Sequence, residues 1–320
     1  MMFRLILHLL LLLLFAPLLP GVIAKTKAWF AGRVGAPVLQ PYYDLARLWR
    51  KECVFSRTTS WVFRAGPVVG LVVPVLAALL IPFGALPAPI SFQGDLILFV
   101  YLFGLARFFT AAAALDTGSS FEGMGAAREV TFSCLAEPTV LFCLIVLARL
   151  SGQLSLNALL GPYLTTAWGP AAASLGLVVI CLLVVLLVEN SRIPFDDPNT
   201  HLELTMIHEV MVLDHSGPAF GMILYGAALK LMVMGALVVR LVLPWQTDNL
   251  VLDAGVFLGG LLLLAVVIGV VESIMARACR GNTWSSPACV SPAISAPGMC
   301  PFSTPRSPIR PWKRTSRRYS

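Results

Sequence analysis

The chain has 320 residues, 58% hydrophobic and only 12% charged, with a mean hydropathy of +0.84, whereas ordinary soluble domains carry about 25% charged residues. This composition excludes a soluble enzyme, a disordered chain and a nucleic-acid module. The formal charge of +7 comes from the end of the chain: from Ile274 onward there are eight Arg or Lys and no acid, leaving 15 bases against 16 acids before them.

Apolar runs of about 20 residues are long enough to cross a bilayer. They predict seven transmembrane helices, at 5–23, 67–86, 96–115, 132–150, 171–188, 219–243 and 254–271. Each is apolar around its whole circumference, unlike the one-sided stripe of a surface helix. The first run is too long for a signal-peptide core, and Lys25 and Lys27 stand where a small-residue cleavage site belongs, so it reads as a retained span. Between the first two spans stand eight bases (Lys25, Lys27, Arg33, Arg47, Arg50, Lys51, Arg57, Arg64) against Asp44 and Glu52. By the positive-inside rule this loop is cytoplasmic. Segments 116–131 and 189–218 then share its side, and the N-terminus lies outside.

From about Ala278 the text changes, with seven prolines, eight serines and three cysteines in place of apolar runs. The chain therefore divides into a polytopic membrane domain, 1–277, and a basic Pro/Ser-rich tail, 278–320. A disordered tail held at anionic lipid is one reading; a shifted reading frame in a GC-rich gene is the other and is preferred. Neither gives the tail a function. No two of the seven cysteines stand at CxxC spacing, so neither a disulfide framework nor a metal knuckle is expected.

A charge near the middle of a span costs about 2.5–3.5 kcal/mol to insert, so it normally faces protein or water and marks a functional candidate. Arg107, Glu137 and Lys230 qualify. Lys230 lies half-way along its expected span, and Glu137 sits one and a half turns into its own, beside Pro138, whose missing N–H loosens the local helix. Two readings stand. The three charges pair with one another, or with Glu189 and Glu272, to hold helices together; or an acid and a base line a hydrated path that relays protons, because burial and neighbours tune their proton affinity.

The stretch 189–209 is the most unusual. Pro194 and Pro198 impose an irregular course, after which Asn199 or Thr200 can cap a helix containing Glu203 and running to about His215. Asp196, Asp197, Glu203, Glu209 and Asp214 make the region strongly acidic for so apolar a chain. His208-Glu209 lacks the second histidine of a zinc-protease motif, since Val212 stands in its place. His201, His208 and His215 repeat every seven residues and share a helix face. At a rise of about 1.5 Å per residue neighbours are roughly 10 Å apart, too far for one ion with ligand bonds of about 2 Å. They read as proton carriers or hydrogen-bond partners, or as purely structural groups, and Glu203 and Glu209 are the better functional acids.

Several blocks together resemble one family. The first is Gly32-Arg33-Val34-Gly35-Ala36-Pro37 running into Leu39-Gln40-Pro41-Tyr42-Tyr43-Asp44-Leu45, and the second is Leu115-Asp116-Thr117-Gly118-Ser119-Ser120-Phe121-Glu122-Gly123-Met124-Gly125-Ala126-Ala127-Arg128-Glu129 followed by Glu137-Pro138. The third is Pro194-Phe195-Asp196 with His201-Leu202-Glu203, His208-Glu209 and Asp214-His215-Ser216-Gly217. These are similar to the membrane subunit shared by respiratory complex I (subunit 1 and its bacterial equivalent) and the group 4 [NiFe]-hydrogenases. Arg128-Glu129, Glu137-Pro138 and the residues around His208 look like the hydrogenase branch, which includes formate hydrogenlyase subunit 4 and the hydrogenase-4 membrane component.

The resemblance implies an all-α integral membrane protein with a cytoplasmic amphipathic segment and an acidic loop, the family usually having an eighth span. It implies a non-catalytic subunit of an oxidoreductase complex in the bacterial inner membrane, binding no cofactor or metal itself. Its implied partners are a hydrogenase-like large subunit, a small iron–sulfur subunit and antiporter-like membrane subunits, which would carry iron–sulfur clusters and a [NiFe] site. Carried over residue by residue, Glu129, Glu137, Asp196, Glu203, Glu209 and Asp214 form a proton path, to which the position of Lys230 adds a base. Arg33, Asp44, Arg107, Arg128, His201 and His208 are charge partners. Three alternatives stay open: the quinone-site subunit of the complex I branch, a stand-alone ion transporter, although no internal repeat is evident, and a structural anchor for peripheral subunits.

Overall fold

The computed structural model describes residues 2–56, 58–84, 86–161, 163–196, 207–244 and 249–284. Among these, apart from an isolated bridge between Phe83 and Leu86, the regular structure is helical. Helices α1 (Met2–Phe15) and α2 (Leu18–Phe30) are followed by α3 (Gln40–Trp49), α4 (Trp61–Ala78), α5 (Asp95–Asp116) and α6 (Ser120–Ser151). After the short α7 (Leu156–Leu159) and α8 (Tyr163–Ala167) come α9 (Ala172–Glu189), α10 (His208–Met211), α11 (Gly217–Val242) and α12 (Leu250–Trp284). Met1–Arg280 forms one compact unit, distinct from Gly281–Ser320.

Seven stretches are long and apolar enough to cross a bilayer: Arg4–Phe30, Trp61–Ala78, Asp95–Asp116, Ser120–Ser151, Ala172–Glu189, Gly217–Val242 and Val251–Ala276. All seven expected spans are present, and the protein is a multi-pass membrane protein. Their ends differ from expectation in informative ways. The first span is two helices, α1 and α2, parted at Pro17. Lys25, Lys27 and Arg64 belong to the ends of α2 and α4 rather than to the loop between them. The fourth span starts at Ser120, twelve residues before the expected 132, so the polar stretch 120–131 is a helical extension of the span. Glu137 therefore lies near the middle of α6 rather than one and a half turns from its start, and the helix continues through Pro138.

Local chemistry fixes these boundaries. The Ser60 hydroxyl accepts the Val62 N–H at 3.3 Å, and the Ser60 N–H donates to the Asp116 carboxylate at 2.6 Å. One cap thus satisfies the start of α4 and ties it to the end of α5. At the other end of α6, Gly152 takes the left-handed conformation (φ +68°) that closes a helix without a Cβ clash.

The central helix is α11. Of its most apolar stretch 67% is buried, against 28–39% in the other spans, and α3, α4 and α9 pack around it. A Cβ at Gly226 would fall 2.5 Å from the Gly70 carbonyl oxygen, so the backbones of α4 and α11 touch there. That contact is one turn from Lys230 and leaves its side chain free to run toward α9.

The helix expected to run from Asn199 or Thr200 through Glu203 to His215 lies partly outside the described residues. Its described part is the short α10, which stops at Met211, so His208 and His215 do not share a helix face. Tertiary contacts end it. Ser216 exchanges hydrogen bonds with Val54 (N–H to Oγ 3.0 Å, Oγ to O 3.3 Å), and Gly217, at φ +56°, leaves room only for a hydrogen where a Cβ would stand 2.5 Å from the Glu52 oxygen.

Candidate functional site

Four spans contribute to one cluster of charges. Arg107 on α5 reaches three carboxylates: Nε lies 3.3 Å from Glu129 Oε1, Nη1 donates to Glu137 Oε1 at 2.8 Å, and Nη2 donates to Glu189 Oε1. A planar guanidinium with five N–H donors can serve three acids at once, which an ammonium cannot. From α11, Lys230 Nζ stands 2.8 Å from the other oxygen, Glu189 Oε2. Glu189, only 4% exposed at the end of α9, is therefore held between two cations. The pairing expected for Arg107, Glu137 and Lys230 is present, and Glu272 pairs elsewhere, with Lys27 and Arg192.

A cavity of about 100 Å³ borders this cluster, its wall including Arg107, Glu129, Glu189, His208, His215 and Lys230. One water needs about 10–15 Å³ of such space and several polar partners, so the cavity suits a small group of waters. Glu137 is not part of that wall; it joins the cluster through Arg107, with its side chain 38% exposed.

His208 enters the cavity because Asp196 holds it there. After α9 the chain turns at Asn190–Phe195, and the Arg192 carbonyl accepts the N–H groups of Phe195 (2.8 Å) and Asp196 (3.3 Å). The buried Asp196 carboxylate then accepts the Ile207 N–H at 3.1 Å and the His208 N–H at 2.9 Å. It caps α10 from outside the helix, doing the work of an N-cap residue. Burial pushes the His208 imidazole below the ordinary histidine range; Glu129 and Asp196 oppose this shift, while Lys230 and Arg192 add to it.

His215 stacks on Phe63, with ring centroids 4.0 Å apart and planes 10° from parallel. Burial pushes its pKa down to about 4, against a weaker upward pull from Asp214. A histidine held neutral in the fold but free to protonate when unfolded contributes fully above about pH 6.5, and this contribution is lost as the pH falls toward 4. The thermal midpoint of the detergent-solubilised protein is therefore expected to drop across that window. In His215→Phe, which keeps the stack, that component of the drop should vanish; parallel pH curves for the two proteins would refute the assignment.

The remaining expected residues are spread out. The side chains of Glu209 and Asp214 are exposed, and the acid buried beside Asp214 is Glu122, whose Oε1 accepts the Asp214 N–H at 3.2 Å. Arg128 is half-buried on α6, Arg33 is exposed, and Asp44 accepts a bond from Gln40 Nε2 at 2.9 Å on α3; none of the three lines the cavity. Asp197, His201 and Glu203 lie outside the described residues. Sequence reasoning casts Glu189 only as a possible partner, and gives Glu122, which stands in the second family-like block, no role. The signal for Glu189 is there, because it is the sole charge of an otherwise uninterrupted apolar run. Among the described residues no group of three or more His, Cys, Asp or Glu side chains is placed to hold a metal ion.

Comparison with known proteins decides the family. The model of the NADH dehydrogenase family matches residues 3–282, nearly the whole described chain. The chain belongs to that family. Relatives include formate hydrogenlyase subunit 4 of Escherichia coli K12, 34% identical over 263 residues that cover 81% of each chain. Hydrogenase-4 component C of the same organism is 30% identical over 272 residues, covering 83% of this chain and 85% of the relative. An NADH-quinone oxidoreductase subunit of Syntrophotalea carbinolica is 29% identical over 225 residues, 66% of each chain. The fold is shared with a chain of the membrane-bound sulfane sulfur reductase, an archaeal respiratory membrane complex, at a TM-score of 0.66 and 22% identity, over 84% of this chain and 88% of that one. The membership agrees with the blocks around Arg33, Arg128 and Asp196. Within this NADH dehydrogenase-family chain the charge cluster draws on the third to sixth spans, Glu189 being the residue that two cations share.

Proposed function

We propose that this chain is the membrane-anchoring and energy-coupling subunit of a hydrogenase-type respiratory complex resembling formate hydrogenlyase, linking cytoplasmic redox chemistry to proton or ion translocation. One observation carries the reading: five charged side chains from four spans form one ion-pair cluster, four of them bordering a cavity large enough for a few waters, whose wall also includes a histidine set by the acidic loop. Relatives at 34% and 30% identity that are named as hydrogenase-complex components support it.

The physical chemistry is direct. A redox event in a docked partner changes charge or shape at the cytoplasmic face, and nearby acids respond by changing proton affinity. Glu203, Glu209 and Asp214 collect protons there, His208 passes them into the cavity, and Glu129, Glu137, Glu189 and Lys230 carry them onward. Asp196 positions His208, and Arg107 keeps three acids together. The chain couples without performing the redox step itself. Its partners would be a hydrogenase-like large subunit and a small iron–sulfur subunit, which would carry the [NiFe] site and the clusters, together with antiporter-like membrane subunits. The basic segment 25–64 favours an inner-membrane topology with the N-terminus outside. The membrane function is assigned to residues 1–277, with 278–320 given no role.

The test is a mild-detergent pull-down of the tagged chain from its native membrane, with nickel and iron quantified and partners identified by mass spectrometry. Nickel with a hydrogenase-like large subunit is the expected result. Iron without nickel, beside NADH-oxidising or quinone-reactive subunits, would move the chain to the complex I branch. Recovery of the chain alone would overturn the reading in favour of a transporter.

A further inference from the structure

A second group of charges lies apart from the cavity. Glu272 on α12 is 1% exposed, and its two oxygens face two cations from different parts of the fold. Lys27 on α2 stands 2.8 Å from Oε2, and Arg192, in the turn after α9, stands 3.6 Å from Oε1. Both cations are partly exposed, at 33% and 25%, so only the carboxylate depends on its partners for neutralisation. Neither Glu272 oxygen has a hydrogen bond with good geometry. A buried acid incompletely satisfied in this way calls for an explanation beyond packing.

Arg192 supplies one. Its side chain faces Glu272 while its carbonyl accepts the N–H groups of Phe195 and Asp196. Asp196 in turn accepts the N–H groups of Ile207 and His208, and His208 lines the cavity. A continuous set of contacts therefore runs from the first and last spans, through one arginine, to the histidine at the charge cluster. The Arg192–Glu272 separation is roughly 0.7 Å longer than an ordinary N–H···O bond, so the contact is electrostatic rather than locked.

We propose that Lys27, Glu272 and Arg192 form a latch that sets the position of the turn at Arg192–Asp196 and, through Asp196, that of His208, making Arg192 and Glu272 positioning residues for coupling. The inference rests on the coupling role above. Lys27 keeps Glu272 neutralised and anchored between α2 and α12. Arg192 is the side of the latch joined to the turn, so strengthening or weakening its contact with Glu272 shifts Asp196 and, with it, His208.

The test uses the whole complex in inverted membrane vesicles, reading ions moved per hydrogen formed alongside viologen-linked hydrogenase activity, which needs no translocation. Arg192→Gln is expected to lower the ion ratio at least about fivefold, the lower end of ordinary coupling between sites, with viologen-linked activity unchanged. Glu272→Gln should do the same, the double variant should add nothing further, and Arg192→Lys should recover most of the ratio. An unchanged ratio in Arg192→Gln, or independent losses that multiply in the double variant, would overturn the latch. So would loss of the complex in Arg192→Gln, because with Lys27 still neutralising Glu272 the contact would then be holding the fold. A wild-type complex that forms hydrogen without moving ions, or that lacks hydrogenase activity, would instead overturn the coupling role on which the latch rests.

Discussion

Arg107→Met is expected to remove the chain from the membrane almost completely. Arg107 is 7% exposed and stands against Glu129, Glu137 and Glu189. Removing one partner of a buried ion pair costs about 3–5 kcal/mol because the other charge is stranded. Here one substitution strips three acids and leaves only Lys230, which pairs with just one of them, Glu189. Against a total folding stability of about 5–15 kcal/mol for ordinary domains, that loss is disabling. Arg107→Lys should fall between, since a point charge on a flexible stem cannot reach three carboxylates on two helices. Glu137→Gln should be mild, because its side chain is 38% exposed. Quantifying the tagged chain in membrane fractions and its detergent melting curve would check the order; wild-type abundance and melting in Arg107→Met would show that the cluster contributes nothing to the fold.

The seven spans are legible in the sequence because each is a long apolar run, a property of local text that tertiary contacts do not override. What hydropathy does not report is a helix that continues after leaving the apolar layer, and so it puts the start of α6 at 132 instead of Ser120. The missing stretch is rich in small residues for a physical reason. A Cβ at Gly125 would stand 3.0 Å from the Ile207 carbonyl oxygen and from Met211 Cγ, where α6 and α10 are pressed together. The bounds of α10 are equally hidden, because its start is held by Asp196 and the chain after it by Val54 and Glu52, none of them adjacent in sequence. Among charges, the residues are readable but their partners are not. That Arg107 serves three acids and that Glu189 joins it to Lys230 depends on how α5, α6, α9 and α11 come together, which no spacing rule encodes.

Glu189→Gln should separate the structural and coupling roles of the cluster. The amide keeps the shape of the side chain, and its carbonyl can still accept from Arg107, which remains neutralised by Glu129 and Glu137. Assembly is therefore expected to survive, at reduced stability. What the amide cannot do is hold Lys230, whose ammonium now faces an N–H donor or cavity water, nor can it take up and release a proton. A positioned proton-transfer group is usually worth about 10²–10⁴ in rate, so ion movement in inverted vesicles should fall by at least about tenfold while viologen-linked hydrogenase activity persists. Glu189→Asp, one methylene shorter, should reach only one of the two cations and fall between. Adding Lys230→Met to Glu189→Gln should recover stability by removing the stranded cation yet leave ion movement low, because the carboxylate is still gone. Full ion movement in Glu189→Gln would show that Glu189 is only a brace between α5 and α11, and the path would then have to run through Glu129 and Glu137 without it.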